Sequence, residues 1–145
     1  MRYLGFDLGT RTLGISISDL TGVVASTYET LRFSDSNYQE IIPKILDIIK
    51  KENIRCIVLG LPKNMNNTYG DATDRVLEFK KILEQNTDIE IVLQDERLST
   101  KEASYYMILA DVSRKKRKKK IDALAANIIL QTYLDKIKGE NYGNK

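Results

Sequence analysis

GFDLGTRTLGISISD, residues 5–19, reads as two strands and the turn between them. Leu4, Phe6 and Leu8 alternate with Gly5 and Asp7, the period of a strand, which sets one carboxylate on a face otherwise filled by glycine. Strands disfavour Asp, and a buried carboxylate is costly unless it is paired or holds a cation, so Asp7 is expected to have an electrostatic task. Gly9, Thr10 and Arg11 form a tight turn, and Leu13, Ile15 and Ile17 then alternate with Gly14, Ser16 and Ser18 as a second strand. The pair is a hairpin with an acid near its tip.

Working outward, Thr21 and Gly22 turn the chain into VVASTYETL, residues 23–31, a third strand that must run antiparallel to the second. Ser36 and Gln39 have the spacing of a capping box, and Ile41, Ile42, Ile45, Leu46 and Ile49 recur at helical spacing to about Lys51, with Pro43 as the irregularity. IRCIVLGL, residues 54–61, is nearly all apolar, as in a central strand covered on both faces. A polar loop over 62–73 precedes Ala72, Val76, Phe79 and Leu83, a helix opened by Asp71 or Thr73 and ending near Gln85. Residues 89–93 are a fifth strand. Ser99 and Glu102 cap a further helix carrying Ala103, Tyr106, Met107 and Ala110, and Ile121, Leu124, Ala125, Ile128 and Ile129 mark a last helix ending at 136–139. Residues 140–145 are expected to fray. The order predicts one α/β domain over 1–139, with a mixed five-stranded sheet, three strands antiparallel and then two parallel, and helices on both faces.

Composition narrows the chemistry. The chain has 145 residues, 42% hydrophobic and 30% charged, enough for one well-filled core. Its one cysteine, Cys56, lies in an apolar run and reads as a buried thiol. With no histidine, His-ligated zinc and His general bases are excluded, and any metal site must use oxygen ligands, which suits Mg²⁺ or Mn²⁺. Neither a basic-apolar leader nor an apolar run of membrane length is visible, so a cytoplasmic protein without membrane attachment is expected.

The net charge of +3 is unevenly spread: Arg114, Lys115, Lys116, Arg117, Lys118, Lys119 and Lys120 are seven consecutive cations, and without them the chain would carry −4. Such runs are often only solvated and mobile. A lone basic block on an acidic domain is also the footprint of a polyanion site, and nucleic acid is the favoured partner.

Three separate elements then offer acids where strand ends converge: Asp7 on the first strand, Asp95 or Glu96 after the last, and Asp122 at the start of the final helix. Singly, Asp122 is also explained by Lys118 or Lys119 and the helix dipole, and Asp95 or Glu96 by Arg97 or a capping role; Asp19 is a turn residue. Together, with no histidine, they match the bridging carboxylates that two divalent ions on a phosphodiester require.

At these residues the chain resembles the YqgF or RuvX family of Holliday-junction-resolvase-like proteins, which have the RNase H-like fold. The resemblance is carried by RYLGFDLGTRTLGISISD (2–19), IVLGLPKNMNNTYGDAT (57–73), DERLST with EA (95–103) and Lys119 with IDALAANIILQTYL (119–134). The family implies a metal-dependent nuclease with Asp7, an acid of the DER stretch and Asp122 as catalytic carboxylates. Its members are described as trimming the 5′ end of precursor 16S ribosomal RNA, or alternatively as resolving four-way DNA junctions. One departure stands in the loop, where N-M-D-G-T of relatives is here Asn64-Met65-Asn66-Asn67-Thr68.

Chemistry and resemblance together make Asp7, Glu96 and Asp122 the expected metal ligands, Glu96 being preferred to Asp95 for its reach. Thr10 and Arg11 at the hairpin tip are expected to hold a phosphate, with Lys63, Asn64, Asn66 and Arg97 as further contacts to the substrate backbone and the basic run as a salt-sensitive anchor. A resolvase cutting two strands symmetrically should be a homodimer, whereas an RNA-trimming enzyme can be a monomer. Two rivals belong to other classes. FDLGTRTLG also resembles the first phosphate loop of actin and sugar-kinase ATPases, but those close two such domains around ATP. The other rival is a non-catalytic nucleic-acid-binding module whose binding survives EDTA.

Overall fold

The computed structural model describes residues 2–35, 37–61, 71–95 and 114–143, with side chains over 2–35, 37–61, 73–94 and 124–138. The first hairpin forms as its alternation predicts, with β1 at Arg2–Leu8 and β2 at Thr12–Ser18. Gly9 N–H donates to the Thr12 carbonyl at 2.8 Å, leaving Thr10 and Arg11 exposed at the tip. β3 is Ala25–Arg32, two residues shorter at its start than the sequence suggests. The cause is Asp19, whose carboxylate accepts the N–H groups of Val23 and Val24 at 2.9 and 3.2 Å and the Thr21 hydroxyl at 2.6 Å. With Gly22 at φ +71°, both valines are drawn into the turn and stay exposed.

The first helix does not start at a capping box. Tyr38–Glu40 is a 3-10 turn, and α1 is Ile42–Lys51, with Pro43 in its first turn, where the missing N–H has no helical partner to lose. Ile41 has no side-chain cap; Ser36 lies outside the described residues. Instead Glu40 accepts the Ser34 N–H at 2.9 Å. β4 is Ile54–Leu61, α2 is Asp71–Asn86 and β5 is Glu90–Asp95. The helix expected from Ser99 and most of the polar loop lie outside the described residues. The last helix, α3, is Arg114–Gly143. It takes in the whole basic run, which the sequence left as a separate segment, and continues past Gly139.

The sheet order is β3-β2-β1-β4-β5. β1 and β3 run antiparallel to β2, and β1, β4 and β5 are parallel, as the crossover logic requires. α1 and α2 cover one face through Ile42, Ile45, Val76, Phe79 and Leu83 against Leu4, Phe6, Ile15 and Leu59. α3 covers the other, setting Ile129, Leu130 and Leu134 against Cys56 and Val58. Helices on both faces explain why β2 is buried nearly throughout, Ser16 and Ser18 included. Cys56 sits on the α3 face, where burial and then the Glu90 carboxylate push its thiol up to about 12. None of the described helices is long and apolar enough to cross a membrane.

Candidate active site

Asp7 is half-buried near the carboxyl end of β1, paired with Gly14 of β2. Leu4, Phe6 and Leu8 face α1 and α2, so strand alternation turns Asp7 and Gly5 to the α3 face. Two glycines thus flank the acid, one before it on its own strand and one opposite. The hairpin tip carrying Thr10 and Arg11 adjoins it, and the Arg11 carbonyl accepts the Phe33 N–H at 3.0 Å, tying the tip to the end of β3. Because β1, β4 and β5 are parallel, Leu8, Leu61 and Asp95 all end at one edge of the sheet, the edge where open α/β sheets place their ligands.

α3 approaches this edge in a defined direction. Tyr133 packs on Tyr3 with ring centroids 6.2 Å apart, while Leu130 and Ala126 lie against Gly5. Moving backward along the helix therefore moves forward along β1, and α3 is antiparallel to it. Gly5 permits the contact: an ideal Cβ there would stand 2.6 Å from Leu130 Cβ and 2.9 Å from the Ala126 oxygen. Asp122 is one helical turn before Ala126 on the same helix face. Two side chains fasten the helix to the sheet. Ser16 Oγ donates to the Ala126 carbonyl at 2.8 Å, and Gln131 receives the Ala25 N–H at 2.8 Å while its amide donates to the Val23 carbonyl at 2.9 Å.

The third strand end separates the two adjacent acids. Val58 pairs with Val92 and both pack on the α3 face; Leu61 pairs with Asp95, and Leu61 packs on the α1–α2 face. Asp95 thus occupies a register position on the face opposite to Asp7. Glu96 and Arg97, like Lys63, Asn64 and Asn66, lie outside the described residues, and the side chains of Asp95 and Asp122 are not described. Among the described residues no three acids or thiols gather into a metal-ligating group. Residues 114–120 form the first two turns of α3. They begin about 9 Å and end about 18 Å beyond Ala126 along the helix, toward the edge that holds Asp7.

Sequence reasoning offered candidate acids and missed the seat of α3. Ser16 and Gln131 read there as ordinary polar positions of a strand and a helix. The one available signal was the run of small residues, Gly5, Gly14 and Ser16, on one face of a hairpin otherwise built from large aliphatic side chains.

Residues 1–136 match the RuvX family, described as Holliday junction resolvase. Proteins of Staphylococcus aureus strains JH9 and N315, each named "Putative pre-16S rRNA nuclease", are 50% identical over 137 residues, covering 94% of this chain and 96% of theirs. Among solved structures, T. thermophilus RuvC in complex with a Holliday junction substrate aligns with a TM-score of 0.60 at 15% identity, covering 96% of both chains. Fowlpox virus resolvase with Holliday junction DNA aligns at 0.55 and 15% identity, over 94% of this chain and 99% of that one. At such identities the likeness is one of fold, and it agrees with the RNase H-like sheet read from the sequence. The match along nearly the whole length and the half-identical relatives show that the chain belongs to the RuvX family of Holliday junction resolvases.

Proposed function

We propose that this protein is a metal-dependent nuclease that hydrolyses phosphodiester bonds at the 5′ end of precursor 16S ribosomal RNA. The observation that carries the reading is the antiparallel seat of α3 on β1, which runs the helix segment bearing Asp122 toward the carboxyl edge of the parallel strands, where Asp7 lies. The names of the half-identical relatives support the ribosomal RNA substrate.

The donor chemistry fits Mg²⁺ or Mn²⁺: without histidine the available ligands are hard oxygens, and Asp7 is only half-buried near the carboxyl edge of the sheet. Asp7, Glu96 and Asp122 would hold the ions. Bound there, two such ions supply Lewis acidity at the phosphorus and activate the attacking water. Glu96 is preferred to Asp95 because Asp95 takes a register position on the α1–α2 face, away from Asp7. Thr10 and Arg11, exposed beside Asp7, would orient a phosphate, the guanidinium with its fork of donors. Lys63, Asn64, Asn66 and Arg97 would follow the substrate backbone.

Arg114 to Lys120 would anchor the substrate without reading its sequence. These turns are self-repelling, because cations four apart on a helix oppose each other and cations at a helix N-terminus oppose its dipole. A polyanion removes both conflicts, so hydrogen exchange over residues 114–124 should slow when nucleic acid is added.

The second reading, a structure-specific resolvase of four-way DNA junctions, is favoured by the family description and requires a dimer to cut two strands symmetrically. Cytoplasmic location follows from either substrate. The test compares labelled precursor 16S leader RNA with a four-way DNA junction, in Mg²⁺, Mn²⁺ and EDTA, with Asp7→Asn as control. Metal-dependent cutting of the RNA that Asp7→Asn abolishes would bear out the first reading, and paired cuts in the junction the second. Binding that persists in EDTA with neither substrate cut would reduce the protein to a nucleic-acid-binding module.

A further inference from the structure

We propose that Ser16 is a positioning residue, its hydroxyl fixing the axial register of α3 over β1 and thereby the level of Asp122 relative to Asp7; the functional half of this rests on both acids being metal ligands.

Ser16 is fully buried, and its hydroxyl donates to the Ala126 carbonyl at 2.8 Å. The other acceptor within reach, the Gly5 carbonyl, lies at 3.5 Å, the limit of bonding. Beside this bond Gly5 has no side chain and Ala126 only a methyl, and the packing of Leu130 against Gly5 is a non-directional contact. A directional bond from a strand side chain to one particular helix carbonyl does resist sliding. A shift of one residue moves the helix about 1.5 Å and leaves a buried hydroxyl without a good acceptor.

The spacings on the two elements make this register the useful one. Asp7 follows Gly5 by two residues on the same face of β1, about 6.8 Å along the strand. Asp122 precedes Ala126 by four residues on the same face of α3, about 6.0 Å along the helix. Since the elements are antiparallel and Gly5 lies between Ala126 and Leu130, positions 122 and 7 come within about one helical turn, about 5 Å, of one level along the axis. Gln131 holds α3 to the start of β3, nine residues beyond Asp122, so Ser16 is the fastening nearer to the acids.

The experiment compares the full chain with Ser16→Ala, Ile129→Val, Asp7→Asn and Asp122→Asn. Ile129→Val trims the same helix in the same buried layer without touching the Ser16 bond. Two quantities are read: amide exchange over residues 118–126 in the metal-free protein, and Mn²⁺ affinity by calorimetry. Ser16→Ala should speed the exchange and weaken Mn²⁺ binding about tenfold, the lower end for residues that orient metal ligands, while nucleic-acid binding in EDTA stays unchanged. Ile129→Val should do neither. If the two variants behave alike in both measurements, Ser16 is merely structural and the proposal is overturned. If Asp7→Asn and Asp122→Asn leave Mn²⁺ affinity intact, the ligand reading fails and the functional half goes with it, while faster exchange in Ser16→Ala alone would still establish the register role.

Discussion

Gly5→Ala probes the contact on which the geometry of this protein turns. An ideal Cβ on Gly5 stands 2.4 Å from Ser16 Oγ, 2.6 Å from Leu130 Cβ and 2.9 Å from the Ala126 oxygen. Carbon atoms in contact rest about 3.5–4.0 Å apart, so the Leu130 contact alone is short by about 1 Å. Ser16 can rotate its hydroxyl away. Leu130 Cβ and the Ala126 carbonyl are fixed to the helix backbone and cannot, so α3 itself must lift. Overpacking costs about 1–3 kcal/mol, and the lack of a rotamer escape puts this substitution at the upper end. The lift also breaks the Ser16–Ala126 bond, adding about 1 kcal/mol. Loss of glycine's freedom in the unfolded chain returns about 0.4–1 kcal/mol. The net destabilisation is about 3 kcal/mol. For a chain of 145 residues this lowers Tm by about 6–12 °C. Thermal and urea unfolding followed by circular dichroism measure it, with an unchanged urea slope showing that the two end states are comparable. A Gly5→Ala protein within about 0.5 kcal/mol of the parent would refute the close seat of α3, and with it the approach of position 122 toward Asp7.

Four further outcomes are expected. Tyr38 is buried with its hydroxyl lacking a partner among the described residues, against Phe33 and Phe79, so Tyr38→Phe should be neutral or stabilising by about 1 kcal/mol in urea unfolding. The Cys56 thiol, held up to about 12, should resist disulfide reagents in native buffer at pH 8 and react fully in denaturant, as a colorimetric thiol assay would show. Hydrogen bonds hold Asp19 and Glu40 below their ordinary values of 3.8 and 4.5, Asp19 through Thr21 first and Glu40 through Ser34 first. Their stabilisation is complete above those values and lost as pH falls through the lowered ones, so Asp19→Asn with Glu40→Gln should flatten the acid limb of Tm against pH below about 4.5. Replacing Lys118 and Lys119 by Gln should weaken duplex binding and lower the slope of log affinity against log salt by about 0.9 for each phosphate that is no longer neutralised.

Much of this architecture was legible because strand alternation and helix spacing are local. Leu4, Phe6 and Leu8, then Leu13, Ile15 and Ile17, revealed both strands of the hairpin and their common face, and Val76, Phe79 and Leu83 the buried stripe of α2. Boundaries failed where a longer-range interaction competed. Val23 and Val24 have strand propensity, yet the Asp19 carboxylate holds their N–H groups in the turn. Ser36 and Gln39 have cap spacing, yet Pro43 suits the first turn of a helix starting at Ile42. The seven cations argue against a helix by mutual repulsion, but Lys and Arg are good helix formers, and the packed turns from Leu124 onward nucleate a helix that propagates back through them.

The sequence by itself determined the fold class, the absence of histidine chemistry, the strand that carries Asp7, and the candidate acids, because each is written in residue identity and period. Tertiary structure alone decided which face of the sheet the position of each strand acid takes and how α3 is seated. Pairing of Leu61 with Asp95 assigns that position to the α1–α2 side, and the approach of Leu130 and Ala126 to Gly5, fastened by Ser16, sets α3 antiparallel on β1. The seat of α3 joins residues more than a hundred positions apart, and no local pattern encodes such a distance.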